Sequence, residues 1–307
     1  MTRPGLPSVT AVIATRDRPE LLRKALHAVF AQDYAGTIDA VVVYDQSPPD
    51  PQLAVEFGGH RLTIIENTHT PGLAGARNSG VEAATGDWIA LCDDDDEWMT
   101  DKLRAQFELR DGDEGIGVMA TGIVVVYEGK EFPRVPTVER LTKQDLLESR
   151  VFAAHPSSVV VHRTTMSNDI GLVDEGIPGS YGEDYEWILR AADVTEIAVV
   201  TRPLVLVRWH RGSFFADRWR TMDAAIDYML DREPGFYDHP DGLAYMYGRQ
   251  AFALAAAGDG ADARRKAFKA IRTNWKERRA YLALAVSFHL VSADRLMGWA
   301  HSRGRGI

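Results

Sequence analysis

Three short, predominantly apolar runs, Val9 to Ala14 (VTAVIA), Ile38 to Tyr44 (IDAVVVY) and Trp88 to Cys92 (WIALC), constrain the fold of this chain more than any other feature. Each is short and rich in apolar and β-branched residues, the signature of a buried strand. Leu62 to Ile65 reads as a further strand between the second and third runs. The stretches between them carry helical spacing. Pro19 opens the first, and Leu21, Leu22, Ala25, Leu26 and Val29 recur with the helical period. Ala74 to Ala84 predicts a helix with small residues on one face, and Thr100 to Leu109 predicts the next. Alternation of strands and helices at these lengths implies an α/β fold with a parallel, doubly wound sheet.

The pattern changes after residue 115. Gly117 to Tyr127, Ser157 to His162, Glu196 to Val200 and Leu204 to Trp209 read as strands, with a helix over Asp184 to Ala192, so the sheet is expected to become mixed. From Arg218 onward the reading is helical, and Leu243 to Ala257 and Ala261 to Ile271 form an expected antiparallel pair around Gly258-Asp259-Gly260. Its alanine-rich sides need a partner surface, because a single such pair cannot bury its face alone. The expected division is a main domain over residues 1–216 and a helical extension over residues 217–307.

Charge follows the same division. Residues 1–216 hold 20 Lys and Arg against 33 Asp and Glu, whereas residues 217–307 hold 15 against 11. The acidic main part excludes ordinary nucleic-acid binding, which needs dense positive surface. The basic end suits an anionic membrane surface, an association between copies, or simple solvation. The single cysteine, Cys92, excludes an internal disulfide and a cysteine-rich zinc site, and its acidic neighbours disfavour the thiolate. Met1 to Pro7 lacks the apolar core of a signal peptide and no stretch reaches the length of a membrane span, so a cytoplasmic protein is expected.

The third apolar run ends in Asp93-Asp94-Asp95-Asp96. Four like charges side by side repel, the more so where water is excluded. A divalent cation such as Mn2+ or Mg2+ relieves that cost, because such ions take oxygen ligands and keep positions open for phosphate. A solvated acidic loop capping the next helix is the plainer alternative. Placement at the carboxyl end of a buried strand, where open α/β sheets bind ligands, favours the cation.

Other segments point the same way. Thr15-Arg16-Asp17-Arg18-Pro19 is a polar loop between strand and helix, suited to a phosphate or a base. Asp45 ends the second strand, where it can accept from a base or ribose, although it also fits an ordinary turn. Thr70 to Gly80 offers glycines for close approach and Arg77 for a phosphate or base. Gly182-Glu183-Asp184 opens a helix, where acids are also favoured by the helix dipole.

In order along the chain, Thr15 to Pro19, Tyr44-Asp45-Gln46-Ser47, Ala76-Arg77-Asn78-Ser79-Gly80, Asp93 to Asp96 and Glu183-Asp184 resemble the motifs of family 2 glycosyltransferases with the GT-A fold. The resemblance covers about the first 210 residues. It departs from the family at Tyr44, where a first Asp is usual, at Asp17 for the usual Asn, and at Arg16 for the usual aromatic residue.

The resemblance implies an inverting transfer from a nucleoside-diphosphate sugar to an acceptor hydroxyl; it leaves the donor base and the acceptor open, a uridine diphosphate sugar being favoured and the acceptor a glycan, a lipid-linked glycan, a natural product or a peptide. It implies donor contacts from Thr15, Arg16, Asp45, Arg77, Asp93, Asp94 and Arg211. Asp95, matched by counting back from Asp101-Lys102-Leu103, is the implied metal ligand, with His210 as a further one. Asp184 is the implied base, with Glu183 as its alternative. His155-Pro156-Ser157-Ser158 is expected on the acceptor side, and Trp98, Trp187 and Tyr181 are candidates to stack on sugar faces. A sugar nucleotidyltransferase is disfavoured because Thr15 to Pro19 contains no glycine. An inactive binding scaffold is disfavoured because both acidic motifs are retained.

Overall fold

A computed structural model describes residues 6–149, 155–209 and 218–304. The chain runs β1 (Val9–Thr15), α1 (Pro19–Phe30), β2 (Ile38–Tyr44), α2 (Leu53–Glu56), β3 (Arg61–Glu66), α3 (Leu73–Ala83) and β4 (Trp88–Asp93). Then come β5 (Asp96–Trp98), α4 (Lys102–Asp111), β6 (Val118–Tyr127), β7 (Lys130–Arg134), β8 (Arg140–Leu141) and α5 (Lys143–Glu148). After them follow β9 (Val160–His162), α6 (Glu183–Val194) and β10 (Ile197–Arg208). Five helices end the described chain: α7 (Trp219–Arg232), α8 (Pro240–Ala256), α9 (Gly260–Thr273), α10 (Arg278–Ser287) and α11 (Ala293–His301).

The strands form one sheet in the order β3-β2-β1-β4-β9-β6-β10-β5, with β7 beside β6 and β8 beside β10. The first four are parallel, as the alternation predicts. The sheet then becomes mixed, because β9 runs antiparallel to both β4 and β6. The chain leaves β1 toward β2 on one side and returns to β4 on the other. That reversal separates the loops at the carboxyl ends of β1 and β4 and opens a crevice between them. Register aligns the rims, with Thr15 opposite Tyr44 and Ala14 opposite Asp93.

Alternation along the strands divides the core by face. Ala11 and Ile13 of β1 and Trp88, Ala90 and Cys92 of β4 pack with Leu22 and Leu26 of α1 and Phe107 of α4. Val12, Ile89 and Leu91 point the other way, into a cluster that continues through α6 to Ala225, Phe252 and Ala283 of the terminal helices. The helices beyond residue 217 therefore share one continuous core with the sheet, and α10, with α5 and α7, supplies the surface that the alanine-rich pair needs. Gly80 lets α3 approach β1, since a β-carbon there would fall 2.3 Å from Val12 Cγ1.

Two local features depart from the expected strands. β10 is continuous from Ile197 to Arg208, with shifts of register about Pro203, which has no N–H for the ladder. β5 pairs antiparallel with Val205–Val207 of β10, so the acidic run is divided: Asp93 ends β4, Asp94 and Asp95 form the turn, and Asp96 opens β5. No helix among the described residues is long and apolar enough to cross a membrane.

Candidate functional site

The crevice at the strand reversal is a cleft of about 600 Å³. Thr15, Arg16, Asp45, Arg77, all four aspartates of the run, Glu183 and Asp184 line it. Segments separated by up to 169 residues thus meet around one space, spanning Thr15 to Asp184. His210 and Arg211 lie outside the described residues.

The four aspartates have four different surroundings. Asp94, 6 % exposed, accepts from Thr15 Oγ1 at 2.7 Å and from Arg18 Nη1 at 3.1 Å. Burial pushes its carboxyl up to about 6 despite those bonds. Asp95 accepts from the same Arg18 Nη1 at 2.9 Å. Asp93 meets Arg77 Nη2, and its backbone N–H donates to Ser157 Oγ at 2.9 Å. Ser157 Oγ in turn donates to Asp96 Oδ2 at 2.5 Å, and His155 Nδ1 lies 3.5 Å from that same oxygen. Asp96 is 1 % exposed, and burial, with Asp93 and Asp95 nearby, raises its pKa well above the ordinary carboxylate range.

Asp93, Asp96 and His155 each offer one ligand atom, all within 4.8 Å of one another. Two carboxylate oxygens and one imidazole nitrogen are a donor set that Mn2+ accepts, and the burial of Asp96 beside Asp93 and Asp95 favours a cation there. The residues present therefore fit a divalent cation. The cluster differs from the pair expected from sequence: Asp95 borders it but is engaged by Arg18, and His155 approaches from the turn before β9.

Across the cleft, Arg77 is 3 % exposed and joins Asp93 to Glu183, itself 3 % exposed. Its guanidinium is thus committed to two carboxylates, and Glu183 is held as an ion-pair partner. Asp184, the next residue, is only partly buried and lines the cleft. Gly182 precedes them in the left-handed region at φ 79°, which turns the chain into α6 and places both acids on its first turn. Asp45 is fixed by Gly72 N–H at 3.0 Å, Asn67 Nδ2 at 2.9 Å and Gln46 Nε2 at 2.8 Å. Arg16 is more exposed, at the cleft wall beside Asp17.

Of the rings proposed to stack on a sugar, Tyr181 lines the cleft. Trp98 and Trp187 do not: Trp98 is 4 % exposed with Lys102 Nζ 4.0 Å from its ring centre, and the Trp187 indole donates to Gly171 O at 3.0 Å. Both serve the core. Trp209, directly after β10, is the cleft aromatic that the sequence reading left out, although its place at the end of a strand was the available signal. Arg208, also at the cleft, is bound by Glu97 at 2.6 Å.

Residues 10–166, just over half of the chain, match the model of glycosyl transferase family 2. The chain belongs to that family. The succinoglycan biosynthesis protein ExoO of Rhizobium meliloti (strain 1021) is 29% identical over 195 residues, which are 59% of this chain and 54% of that protein. The chain thus spans about half the length of that relative. Among solved structures, S. aureus TarS 1–349 in complex with UDP-GlcNAc superposes with a TM-score of 0.61 at 16% identity, covering 97% of this chain and 92% of TarS 1–349. The mannosyltransferase PcManGT from Pyrobaculum calidifontis, in complex with GDP-Man and Mn2+, gives 0.58 at 19% identity, with coverage of 96% and 86%. The family 2 chain therefore has the GT-A fold, as the ordered motifs imply.

Proposed function

We propose that this chain is an inverting, metal-dependent glycosyltransferase that moves a sugar from a nucleoside diphosphate, uridine diphosphate by preference, to a glycan hydroxyl. The observation that carries the reading is the convergence of Thr15, Asp45, the aspartate run and Asp184 on one cleft at the strand reversal. Family membership and neighbours solved with UDP-GlcNAc and with GDP-Man support a nucleotide-sugar donor. A relative named for succinoglycan biosynthesis supports a glycan acceptor, lipid-linked or free.

Asp45, fixed by three donors, presents its remaining acceptor capacity to the base and ribose. Asp93 and Asp96 with His155, and Asp95 at their edge, would hold a Mn2+ or Mg2+ ion, which supplies positive charge to the departing diphosphate. Arg77 orients Asp93 through their direct ion pair. Asp184 takes the proton of the acceptor hydroxyl as its oxygen bonds to the anomeric carbon. The bond from that carbon to the phosphate oxygen breaks, and its electron pair leaves with the diphosphate. Tyr181 and Trp209 supply apolar ring surface around the sugar.

The test is a thermal-shift screen of uridine, guanosine and thymidine diphosphates with and without Mn2+, followed by transfer assays with the corresponding sugars. A metal-dependent rise with one nucleotide is expected, since a ligand that binds only the folded state raises the melting temperature by mass action. No shift with any nucleotide, with or without metal, removes the reading.

A further inference from the structure

The exposed surface of α9 to α11 reverses the usual use of residue size. Its inward positions are small: Ala263, Ala267, Ala270, Ala280 and Ala283 are all fully buried. Large apolar side chains stand in solvent instead, with Trp275 69% exposed, Leu290 79%, Phe288 57%, Phe268 52%, Trp299 51% and Tyr281 46%. The core does not need them, and so many large apolar side chains exposed on three successive helices and their connections mark a binding face.

Charge identifies the partner. Residues 264–307 carry 11 Lys and Arg against 2 Asp and Glu, a net of +9. Cationic groups lie over the exposed rings: Arg303 is 4.2 Å from the Trp299 ring centre, Arg264 5.1 Å from Phe288, and Lys276 5.9 Å from Trp275. On α9, Arg265, Phe268 and Arg272 follow at helical spacing along one exposed stripe. Rings that are apolar in body and flanked by long cationic side chains suit the boundary between lipid tails and anionic headgroups. A second copy would bring the same positive charge and be repelled.

We propose that this surface docks on an anionic lipid bilayer, with the aromatic side chains at headgroup depth. The surface is continuous with the cleft, because the His301 ring of α11 lies 5.3 Å from that of Trp209, a cleft residue. Docking thereby brings the cleft beside the membrane and points to a lipid-linked acceptor. That last step rests on the proposed sugar transfer, whereas the docking does not.

The experiment is sedimentation of the full chain with vesicles of phosphatidylcholine alone and of equal parts phosphatidylcholine and phosphatidylglycerol, at low and high salt. Binding to the anionic vesicles alone, weakened by salt, is expected. The double variant Lys276→Glu, Arg278→Glu should bind more weakly by roughly fivefold or more for each positive charge lost. Trp275→Ser with Trp299→Ser should also weaken binding, with an unchanged melting temperature because both side chains are exposed. Equal binding to both vesicle types, binding to neither, or a dimer that these substitutions dissociate would overturn the proposal. The nucleotide-induced thermal shift, measured on the same preparations, reports on the cleft separately.

Discussion

Arg18 bridges two members of the aspartate run through one nitrogen, with Nη1 3.1 Å from Asp94 Oδ1 and 2.9 Å from Asp95 Oδ2. The side chain comes from the loop after β1, so the first strand delivers a fixed monocation to the acids at the tip of the fourth. Arg18→Met removes that compensation. Without divalent cation the variant should be less stable by about 1–3 kcal/mol, the scale of hydrogen bonds to charged groups. Added Mn2+ should raise its melting temperature more than that of the parent chain. Identical melting of the two proteins in chelator would show that the bridge stabilises nothing.

Asp184→Asn keeps a side chain of the same size in the cleft and removes the capacity to accept a proton. Turnover should fall by roughly 10²–10⁴, the usual contribution of a positioned base. The nucleotide-induced thermal shift should remain. Unchanged turnover would assign the proton to another group.

Arg77 and Glu183 make a test of a different kind, since both are about 3 % exposed and directly paired. Breaking a buried pair from one side leaves a charge without its partner, at a cost of about 3–5 kcal/mol. Arg77→Met strands both Glu183 and Asp93, so urea unfolding should show a loss of at least that order. Glu183→Gln should cost less, because the amide oxygen still accepts from Arg77. Were Glu183 the base, this variant would lose turnover while its stability stayed nearly intact, and Asp184→Asn would remain active.

The buried parallel strands were legible because Val9 to Ala14, Ile38 to Tyr44 and Trp88 to Cys92 are predominantly apolar, and local composition suffices for such strands. β5 was not, because Asp96-Glu97-Trp98 has the composition of a loop and becomes a strand only through pairing with Val205–Val207. In the site, order along the chain was enough to gather Thr15, Asp45, the aspartates and Asp184. The partners of each aspartate were not readable from it. Ser157 and His155 reach Asp96 from a turn about 60 residues away in sequence, held there by pairing of β9 between β4 and β6. Trp98 shows the opposite error: its neighbours suggested a ligand surface, but β5 turns its indole into the core.

Lys102 gives a prediction about pH. Its side chain is fully buried, its Nζ has no hydrogen-bond partner among the described residues, and its nearest attraction is the Trp98 ring at 4.0 Å. Burial pushes the ammonium down to about 7, against an opposing influence from Cys92. In the unfolded chain the same group keeps its proton up to about 10.4. Between those values the unfolded state binds more protons, so this residue makes stability rise with pH from about 7 to about 10, and it contributes no slope below 7. Lys102→Met keeps most of the side-chain volume and removes the titration. The variant should be more stable near neutral pH by an amount on the order of 4 kcal/mol, reduced by the lost ring contact, and the difference should shrink as pH approaches 10. Urea midpoints for both proteins at several pH values between 6 and about 10 measure this directly. A difference that does not change with pH would mean that the ammonium keeps its proton in the fold, with a counter-charge beside it.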